Sequence, residues 1–116
     1  MSSELAVVTV TYSPGEYLDQ FLTSLREATT RPLRVIMADN GSVDGTPEAA
    51  EVAFEEAELL RTGANIGYGA AVNRAVAEID PDIEFVVVAN PDVRWHPGSL
   101  DGLLDAAARW PRAGAL

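Results

Sequence analysis

Short apolar runs alternate with amphipathic runs along most of this chain. The apolar runs favour strands, because a strand covered on both faces carries apolar side chains at consecutive positions. Between and after them, apolar residues three and four positions apart favour helices. Strands are predicted at Leu5–Thr11, Arg34–Ala38, Glu58–Arg61 and Glu84–Ala89, and helices are predicted to begin near Ser13, Thr46, Gly67 and Pro97. This βαβαβαβα order predicts the α/β class, a mostly parallel open sheet with helices on both faces in a Rossmann-like arrangement.

The residues at the helix starts and along the helix faces refine this prediction. Ser13 is expected to cap the first helix, with Pro14 at its first position and Glu16 completing a capping box. Ala113–Leu116 is typical of the start of a fifth strand, so we expect a chain cut within a longer protein. The positions expected to face the core are Leu18, Phe21, Leu22, Leu25 and Ala28 in the first helix, Ala49, Ala53, Phe54 and Ala57 in the second, Val72, Ala75, Val76 and Ile79 in the third, and Leu100, Leu103, Leu104 and Ala107 in the fourth.

Composition and charge exclude several classes of protein. The 116 residues carry 8 basic residues, all of them arginine, against 18 acidic residues, for a formal net charge of -10. Such an excess of acid argues against a nucleic-acid partner, which requires a basic surface. The lack of lysine excludes a P-loop lysine, and the lack of cysteine excludes disulfides and thiol nucleophiles. No signal peptide or bilayer-length apolar run is visible, so we expect a cytoplasmic protein.

Polar residues and glycines follow each predicted strand. In open α/β sheets, ligands bind beyond the carboxyl ends of the strands, so these residues are the candidates for a binding site. They are Thr11 and Tyr12 after the first strand, Asp39 after the second, Asn65 and Gly67 after the third, and Asn90 and Asp92 after the fourth.

Two aspartates allow a functional and a structural interpretation each. Asp39 ends an apolar strand, where its carboxylate can accept a hydrogen bond from a ligand N–H or close a turn with Asn40 and Ser42. Asp92 follows Asn90, where a hard oxygen ligand suits Mg²⁺ or Mn²⁺ bridging phosphates. The alternative for Asp92 is a simple Asn-Pro-Asp turn. Asp44 is interpreted as a turn residue.

The glycine-rich run from residue 63 to residue 75 precedes and enters the third helix. Glycines permit close approach of the backbone to a ligand, and a helix N-terminus favours phosphate. Arg74 lies about two turns into this helix, where it either reaches a diphosphate or is a solvated surface charge. His96, Trp95 and Trp110 are interpreted as loop and packing residues, and the acidic stretch Asp39–Glu58 as mainly solvated helix surface.

Four ordered motifs are similar to those of a known enzyme family. The segments VTVTYS, MADNGSVDGT, GANIGYGAAVNRA and VVVANPDV resemble glycosyltransferase family 2, whose members are inverting enzymes with the GT-A fold. The resemblance extends over almost the whole chain. Within this family, the motifs are similar to those of actinobacterial rhamnosyltransferases that act on lipid-linked N-acetylglucosamine.

This resemblance implies roles for individual residues. Asp39 would accept from the pyrimidine N3–H of a dTDP- or UDP-sugar, best matched by dTDP-rhamnose, and Asp92 would bind Mg²⁺ or Mn²⁺ on the diphosphate. The remaining expected donor-binding residues are Thr11 and Tyr12 in the nucleobase pocket, Asn65 and Gly67 along the nucleoside and diphosphate, and Arg74 and Asn90 nearby. The acceptor implied is a lipid-linked sugar at the inner face of the plasma membrane.

The chain also departs from the family pattern. Ser13 stands where many members have asparagine, and Asn90 replaces the first aspartate of the D-x-D element. The general base of the family belongs to the acceptor-binding half, so residues 1–116 are expected to be a nucleotide-sugar-binding half that is inactive alone. An unpaired sheet edge would also allow two copies to pair as a homodimer.

Three other interpretations fit the residues less well. A receiver-like regulatory module requires an acidic pair after the first strand and a lysine, neither of which this chain has. A sugar-nucleotide pyrophosphorylase would carry a basic glycine-rich loop where Ser13-Pro14-Gly15 stands. An NAD-dependent oxidoreductase would place its glycine fingerprint after the first strand rather than the third.

Overall fold

Residues 5–109 are described by a computed structural model, in which strands and helices alternate along the chain. This order confirms the predicted α/β class. The elements are β1 (Leu5–Thr11), α1 (Glu16–Ala28), β2 (Leu33–Asp39), α2 (Thr46–Ala53), β3 (Ala57–Arg61), α3 (Tyr68–Ala77), β4 (Phe85–Val88) and α4 (Ser99–Arg109). The predicted strand start at Ala113–Leu116 and the predicted packing of Trp110 lie outside the described residues.

The four strands form one parallel sheet in the order β3-β2-β1-β4. The chain therefore moves outward from β1 through β2 to β3, and then crosses to the other side of β1 to add β4. Because crossovers between parallel strands are right-handed, this reversal places α3 on the opposite face from α1 and α2. The last residues of β1 and β2 are adjacent, with Thr11 in register with Asp39.

The core has a thick side and a thin side. On the thick side, the rings and methyl groups of α1, α2 and α4 cover one face of the sheet, and Phe21 is fully buried at its centre. On the thin side, α3 is the one described helix that covers Val8, Ile36 and Ala38, and its buried residues are the small Ala71 and Ala75. The unequal layers leave part of the sheet uncovered on the α3 side.

The strand β4 shows this effect directly. Its four residues are all apolar, yet Val86 and Val88 are 43% and 44% exposed. Among the described helices, only α3 covers this face, and it packs mainly on β1 and β2, so the β4 side chains on the same face stay partly exposed. The predicted strand is confirmed, and one of its faces is partly exposed.

Helix faces also differ from the predictions. Ala49 and Ala53 of α2 are exposed, as are Val76 of α3 and Leu103 of α4. Ala57 is not in α2 but begins β3. In α2 the buried residues are instead Pro47 and Ala50, with Phe54 just after the helix, and in α3 they are Ala71 and Ala75. The local periodicity placed each helix correctly but misplaced parts of its buried face.

The segment between β4 and α4 packs against α1. The Trp95 ring lies 6.3 Å from the Phe21 ring between centroids, and its backbone N–H donates to Ser24 Oγ at 3.0 Å. Asp101 in the first turn of α4 accepts from Thr29 Oγ1 at 2.7 Å, at the end of α1. The predicted packing role of Trp95 is confirmed, and His96 is an exposed loop residue as expected. Within residues 5–109, no helix combines the length and hydropathy needed to cross a membrane.

Candidate functional site

The strand order reverses between β1 and β4, and a cleft lies at that point. One wall is formed by the residues after β1 and by the first turn of α1, and the other by the residues after β4. We call this space the switch-point cleft, and its lining residues are Ser13, Pro14, Tyr17, Asn90, Pro91 and Asp92. Open parallel sheets bind ligands at such reversals, outside the carboxyl ends of the strands.

Asp39 is committed to hydrogen bonds within the protein. Its Oδ1 accepts from Thr11 Oγ1 at 2.7 Å and from Ser42 Oγ at 2.5 Å. Its Oδ2 accepts from the backbone N–H of Ser42 at 3.1 Å and, more weakly, from that of Gly41 at 3.4 Å. Only 4% of Asp39 is exposed. The turn role considered for Asp39 is therefore present, and its ligand role stays a prediction.

Thr11 lies beneath this carboxylate and is fully buried. Its hydroxyl donates to Asp39, so any contribution of Thr11 to a ligand passes through Asp39. Tyr12 is the opposite case, because 63% of it is exposed. A Cβ atom on Gly41 would lie 4.0 Å from Cε1 of Tyr12, so the ring lies over the backbone of the β2–α2 loop. Tyr12 thus presents an aromatic surface beside Asp39.

Asp92 contrasts with Asp39. It is exposed, and no residue among 5–109 donates a hydrogen bond to its carboxylate. The Val93 N–H donates to the Asn90 carbonyl at 3.2 Å, so the Asn-Pro-Asp turn is present and projects from the end of β4. A carboxylate without a partner remains available for a ligand.

A cation at this turn would have few protein ligands. The described residues contain no group of three or more acidic, histidine or cysteine side chains placed to hold a metal ion. Asn90 and Asp92 nevertheless supply oxygen atoms, the ligand type that Mg²⁺ and Mn²⁺ prefer. Since Mg²⁺ is commonly held by one or two carboxylates plus substrate phosphates, this donor set fits a metal bound together with a diphosphate.

Hydrogen bonds join the loop after β1 to the loop after β2. The Ser13 N–H donates to Ser42 Oγ at 2.7 Å, and the Val43 N–H donates back to Ser13 Oγ at 2.9 Å. The Gly15 N–H donates to Asp44 Oδ2 at 2.9 Å. We call these three bonds the loop clip. Each one spans 29 or 30 positions of sequence.

The loop clip replaces the helix cap predicted from sequence. The helix α1 begins at Glu16, and the residue before it, Gly15, has φ 63° and makes no side-chain cap. Ser13 therefore does not cap α1, Pro14 is not in the helix, and no capping box forms. Ser13 adopts φ 47°, a left-handed conformation that asparagine tolerates better than most residues.

Asp44 is the charged member of the loop clip. Its Oδ1 accepts from the Thr46 N–H at 3.0 Å and from Thr46 Oγ1 at 2.7 Å, while Oδ2 accepts from Gly15. Desolvation raises the pKa of Asp44, but hydrogen bonds from Thr46 and Gly15 outweigh it and hold the pKa below its usual value. The turn role expected for Asp44 is confirmed, and its bond to the β1–α1 loop is additional.

The glycine-rich loop after β3 reaches the same edge of the sheet. Asn65 Oδ1 accepts from the Gly67 N–H at 3.2 Å, and Asn40 Nδ2 donates to the Gly67 carbonyl at 3.2 Å. Gly67 has φ 87° and precedes α3, a conformation that favours glycine. Arg74 is exposed on α3, on the opposite face of the sheet from α1, and does not line the switch-point cleft.

The structure therefore brings Thr11, Tyr12 and Asp39 together and places Asn90 and Asp92 across the cleft from Ser13. Sequence reasoning missed Tyr17 as a cleft residue, and it missed Asn40, Ser42 and Asp44 as links between loops. The motif MADNGSVDGT contained the signal, since asparagine, serine and aspartate side chains form hydrogen bonds with nearby backbone. Their partners on other loops were not visible in it.

Comparisons with known proteins place this geometry in a family. The sequence profile of glycosyl transferase family 2 matches residues 6–116. A curated protein of Mycobacterium tuberculosis, N-acetylglucosaminyl-diphospho-decaprenol L-rhamnosyltransferase, is 57% identical over 125 aligned positions. That alignment covers 100% of this chain and 41% of the relative, so the chain spans about two fifths of the relative's length.

Two solved structures share the fold. Mannosyltransferase PcManGT from Pyrobaculum calidifontis, in complex with GDP-Man and Mn²⁺, superposes with a TM-score of 0.76 at 22% identity over 100% of this chain and 34% of its own. Residues 1–349 of S. aureus TarS, in complex with UDP-GlcNAc, give a TM-score of 0.73 at 25% identity over 93% of this chain and 30% of their own. The parallel sheet is thus the fold of known glycosyltransferases.

Proposed function

We propose, since the chain belongs to glycosyl transferase family 2, that residues 1–116 bind the nucleotide diphosphate of a sugar donor. The observation that carries this proposal is that two carboxylates with different environments lie at the carboxyl ends of the strands. Asp39 is buried and organised by hydrogen bonds, whereas Asp92 is exposed and without a partner in the described part of the chain. The first suits recognition of a fixed N–H group, and the second suits a cation.

Asp39 has one place where a ligand N–H would bind. A carboxylate offers about four acceptor positions, and three of those on Asp39 are filled by bonds of 3.1 Å or less. The fourth holds only the 3.4 Å contact from Gly41. A nucleobase N–H, such as N3–H of uracil or thymine, would replace this weak contact at Oδ2. Tyr12 beside it would stack on the base.

A divalent cation would be held by Asp92, with Asn90 beside it. When bound, the cation offsets negative charge that develops on the nucleoside diphosphate as it leaves the sugar. Asn90 contributes a neutral oxygen and no charge. The protein therefore supplies little negative charge of its own at this place, and binding of the cation would depend on the donor diphosphate. This dependence also reconciles an acidic chain with an anionic ligand.

The relative with 57% identity supports a narrower assignment. By similarity to it, the donor is proposed to be dTDP-rhamnose and the acceptor a lipid-linked N-acetylglucosamine. The TarS complex with UDP-GlcNAc and the PcManGT complex with GDP-Man and Mn²⁺ support a metal-assisted nucleotide sugar more generally. We propose that the protein acts at the cytoplasmic face of the membrane, where a lipid-linked acceptor is accessible. The general base is proposed to belong to the part of the relatives' length that residues 1–116 do not span.

A thermal-shift panel tests the proposed function. The chain is heated with dTDP, UDP, GDP, ATP or NADH, each with and without Mn²⁺. A ligand at one hundred times its dissociation constant stabilises the folded state by about 2.7 kcal/mol. We expect stabilisation by dTDP and UDP that increases with Mn²⁺. Equal or greater stabilisation by NADH or ATP would contradict the donor assignment.

A further inference from the structure

The two walls of the switch-point cleft are supported unequally. Within residues 5–109, no hydrogen bond joins segment 12–17 to segment 89–93. The wall formed by Ser13 and Pro14 is instead held from behind, by the bonds that Ser13 and Gly15 make to the β2–α2 loop. The width of the cleft therefore depends on a contact outside it.

The backbone of that wall includes a conformation that most residues disfavour. Ser13 is the only residue other than glycine with positive φ among the described residues, at 47°. L-residues disfavour this region because Cβ approaches the following carbonyl oxygen. The N–H and the Oγ of Ser13 both form hydrogen bonds of the loop clip. Release of the clip would allow Ser13 to return to negative φ and to displace Tyr12 and Pro14.

We propose that Asp44 is a positioning residue for donor binding, which holds the β1–α1 loop in the shape that accepts the nucleoside diphosphate. This inference rests on the proposed function and adds a residue outside the cleft to it. Asp44 is not one of the residues that line the switch-point cleft. It acts through the Gly15 N–H, and thereby through the first turn of α1, which carries the cleft residue Tyr17.

The two oxygens of Asp44 allow its two roles to be separated. Oδ2 accepts from Gly15 across the loops, and Oδ1 accepts from Thr46 within its own turn. Asp44→Asn leaves one acceptor oxygen, so the side chain keeps either the clip or the turn, but not both. Thr46→Val removes only the hydroxyl that donates within the turn and leaves the bond to Gly15 intact. It is the matched control.

The test is calorimetric titration of the full 116-residue chain with dTDP and with UDP in the presence of Mn²⁺. We expect Asp44→Ala to raise the dissociation constant about tenfold, because losing this charge-assisted hydrogen bond reduces the fraction of chains whose loop has the shape that accepts the ligand. Asp44→Asn is expected to fall between Asp44→Ala and wild type, and Thr46→Val to remain within about twofold of wild type. Asp44→Asn also serves if Asp44→Ala does not fold.

A second control separates positioning from loss of stability. Leu104→Ala destabilises the fold from α4, where Leu104 is buried, and leaves both loops unchanged. It is expected to keep the nucleotide affinity of wild type despite a lower melting temperature. Unchanged affinity in Asp44→Ala, or an equal loss in Leu104→Ala or Thr46→Val, overturns the positioning role and leaves the proposed function standing. Failure of the wild-type chain to bind either nucleotide overturns the proposed function and the inference with it.

Discussion

Two threonines on β1 offer a sharp test of the hydrogen-bond network under the site. Thr9 and Thr11 are both fully buried, and both occupy the same strand. Thr11 Oγ1 donates to the Asp39 carboxylate at 2.7 Å, whereas Thr9 Oγ1 has no hydrogen-bond partner among the described residues. Replacing each by valine keeps the shape and the β-branch and removes only the hydroxyl. The two variants are expected to change stability in opposite directions.

The magnitudes follow from the contacts. Thr11→Val loses a hydrogen bond to a charged group, worth about 1.5–3 kcal/mol, and gains one buried methyl group, worth about 0.8 kcal/mol. The free energy of unfolding should therefore fall by about 1–2 kcal/mol. Thr9→Val removes an unpaired buried hydroxyl, whose desolvation costs about 1–3 kcal/mol, and adds the same methyl group. Its free energy of unfolding should rise by about 2 kcal/mol or more.

Urea unfolding followed by far-ultraviolet circular dichroism measures both effects. The midpoint concentration should decrease for Thr11→Val and increase for Thr9→Val, and the slope m should not change, because the surface exposed on unfolding is the same. For a chain of this length, about 1 kcal/mol corresponds to a shift of about 4 °C in melting temperature. Shifts of equal sign and size in the two variants would refute the assignment of the Thr11–Asp39 bond as a stabilising contact.

Other predictions concern the cation, the core and the loss of stability at low pH. Asp92→Ala should abolish the part of the stabilisation by dTDP that depends on Mn²⁺. It should leave the melting temperature of the ligand-free chain within about 2 °C of wild type, because the side chain has no partner among residues 5–109. A metal-dependent shift equal to that of wild type would contradict the metal role of Asp92. Phe21→Ala should lower the free energy of unfolding by about 3–5 kcal/mol and Val88→Ala by under about 1 kcal/mol, because Phe21 is fully buried and Val88 is 44% exposed. Similar losses for the two variants in urea unfolding would mean that β4 is covered. The hydrogen bond from Arg26 lowers the pKa of Glu56 from its usual 4.5. The stabilisation that ionised Glu56 gives the fold is therefore present above about pH 4.5 and is lost as the pH falls through the pKa of Glu56 in the folded state. Between about pH 5 and pH 3, the melting temperature should fall less steeply for Glu56→Gln than for wild type, and parallel curves would argue against a contribution of the Arg26–Glu56 pair.

The alternation of elements and the location of the site could be predicted from the sequence. Leu5–Thr11 was predicted with the bounds that the structure gives it, because a short run with five consecutive β-branched residues favours a strand. Asp39 and Asp92 were selected because they follow apolar strands, and the carboxyl ends of parallel strands share one edge. These inferences need only neighbouring residues and a general rule of sheet topology.

Burial and capping could not be predicted in the same way. Val86 and Val88 follow a buried-strand pattern, but whether a helix covers them depends on where α3 crosses the sheet. Ser13 followed by Pro14 and Glu16 satisfies the local rule for a helix cap, yet the Ser13 hydroxyl accepts from Val43 instead. The competing partner lies in another loop, which the local rule does not take into account.

The sequence by itself determined the strands, the helices, the family and the edge at which polar residues gather, because these follow from side-chain periodicity and from short motifs. The tertiary structure alone decided which carboxylate is engaged and which is free. Asp39 is satisfied by Thr11, 28 positions away, and Asp44 reaches Gly15, 29 positions away, whereas Asp92 meets no donor in the described chain. Hydrogen bonds act over about 3 Å of space and not along the chain, so their partners are fixed only when the strands have come together.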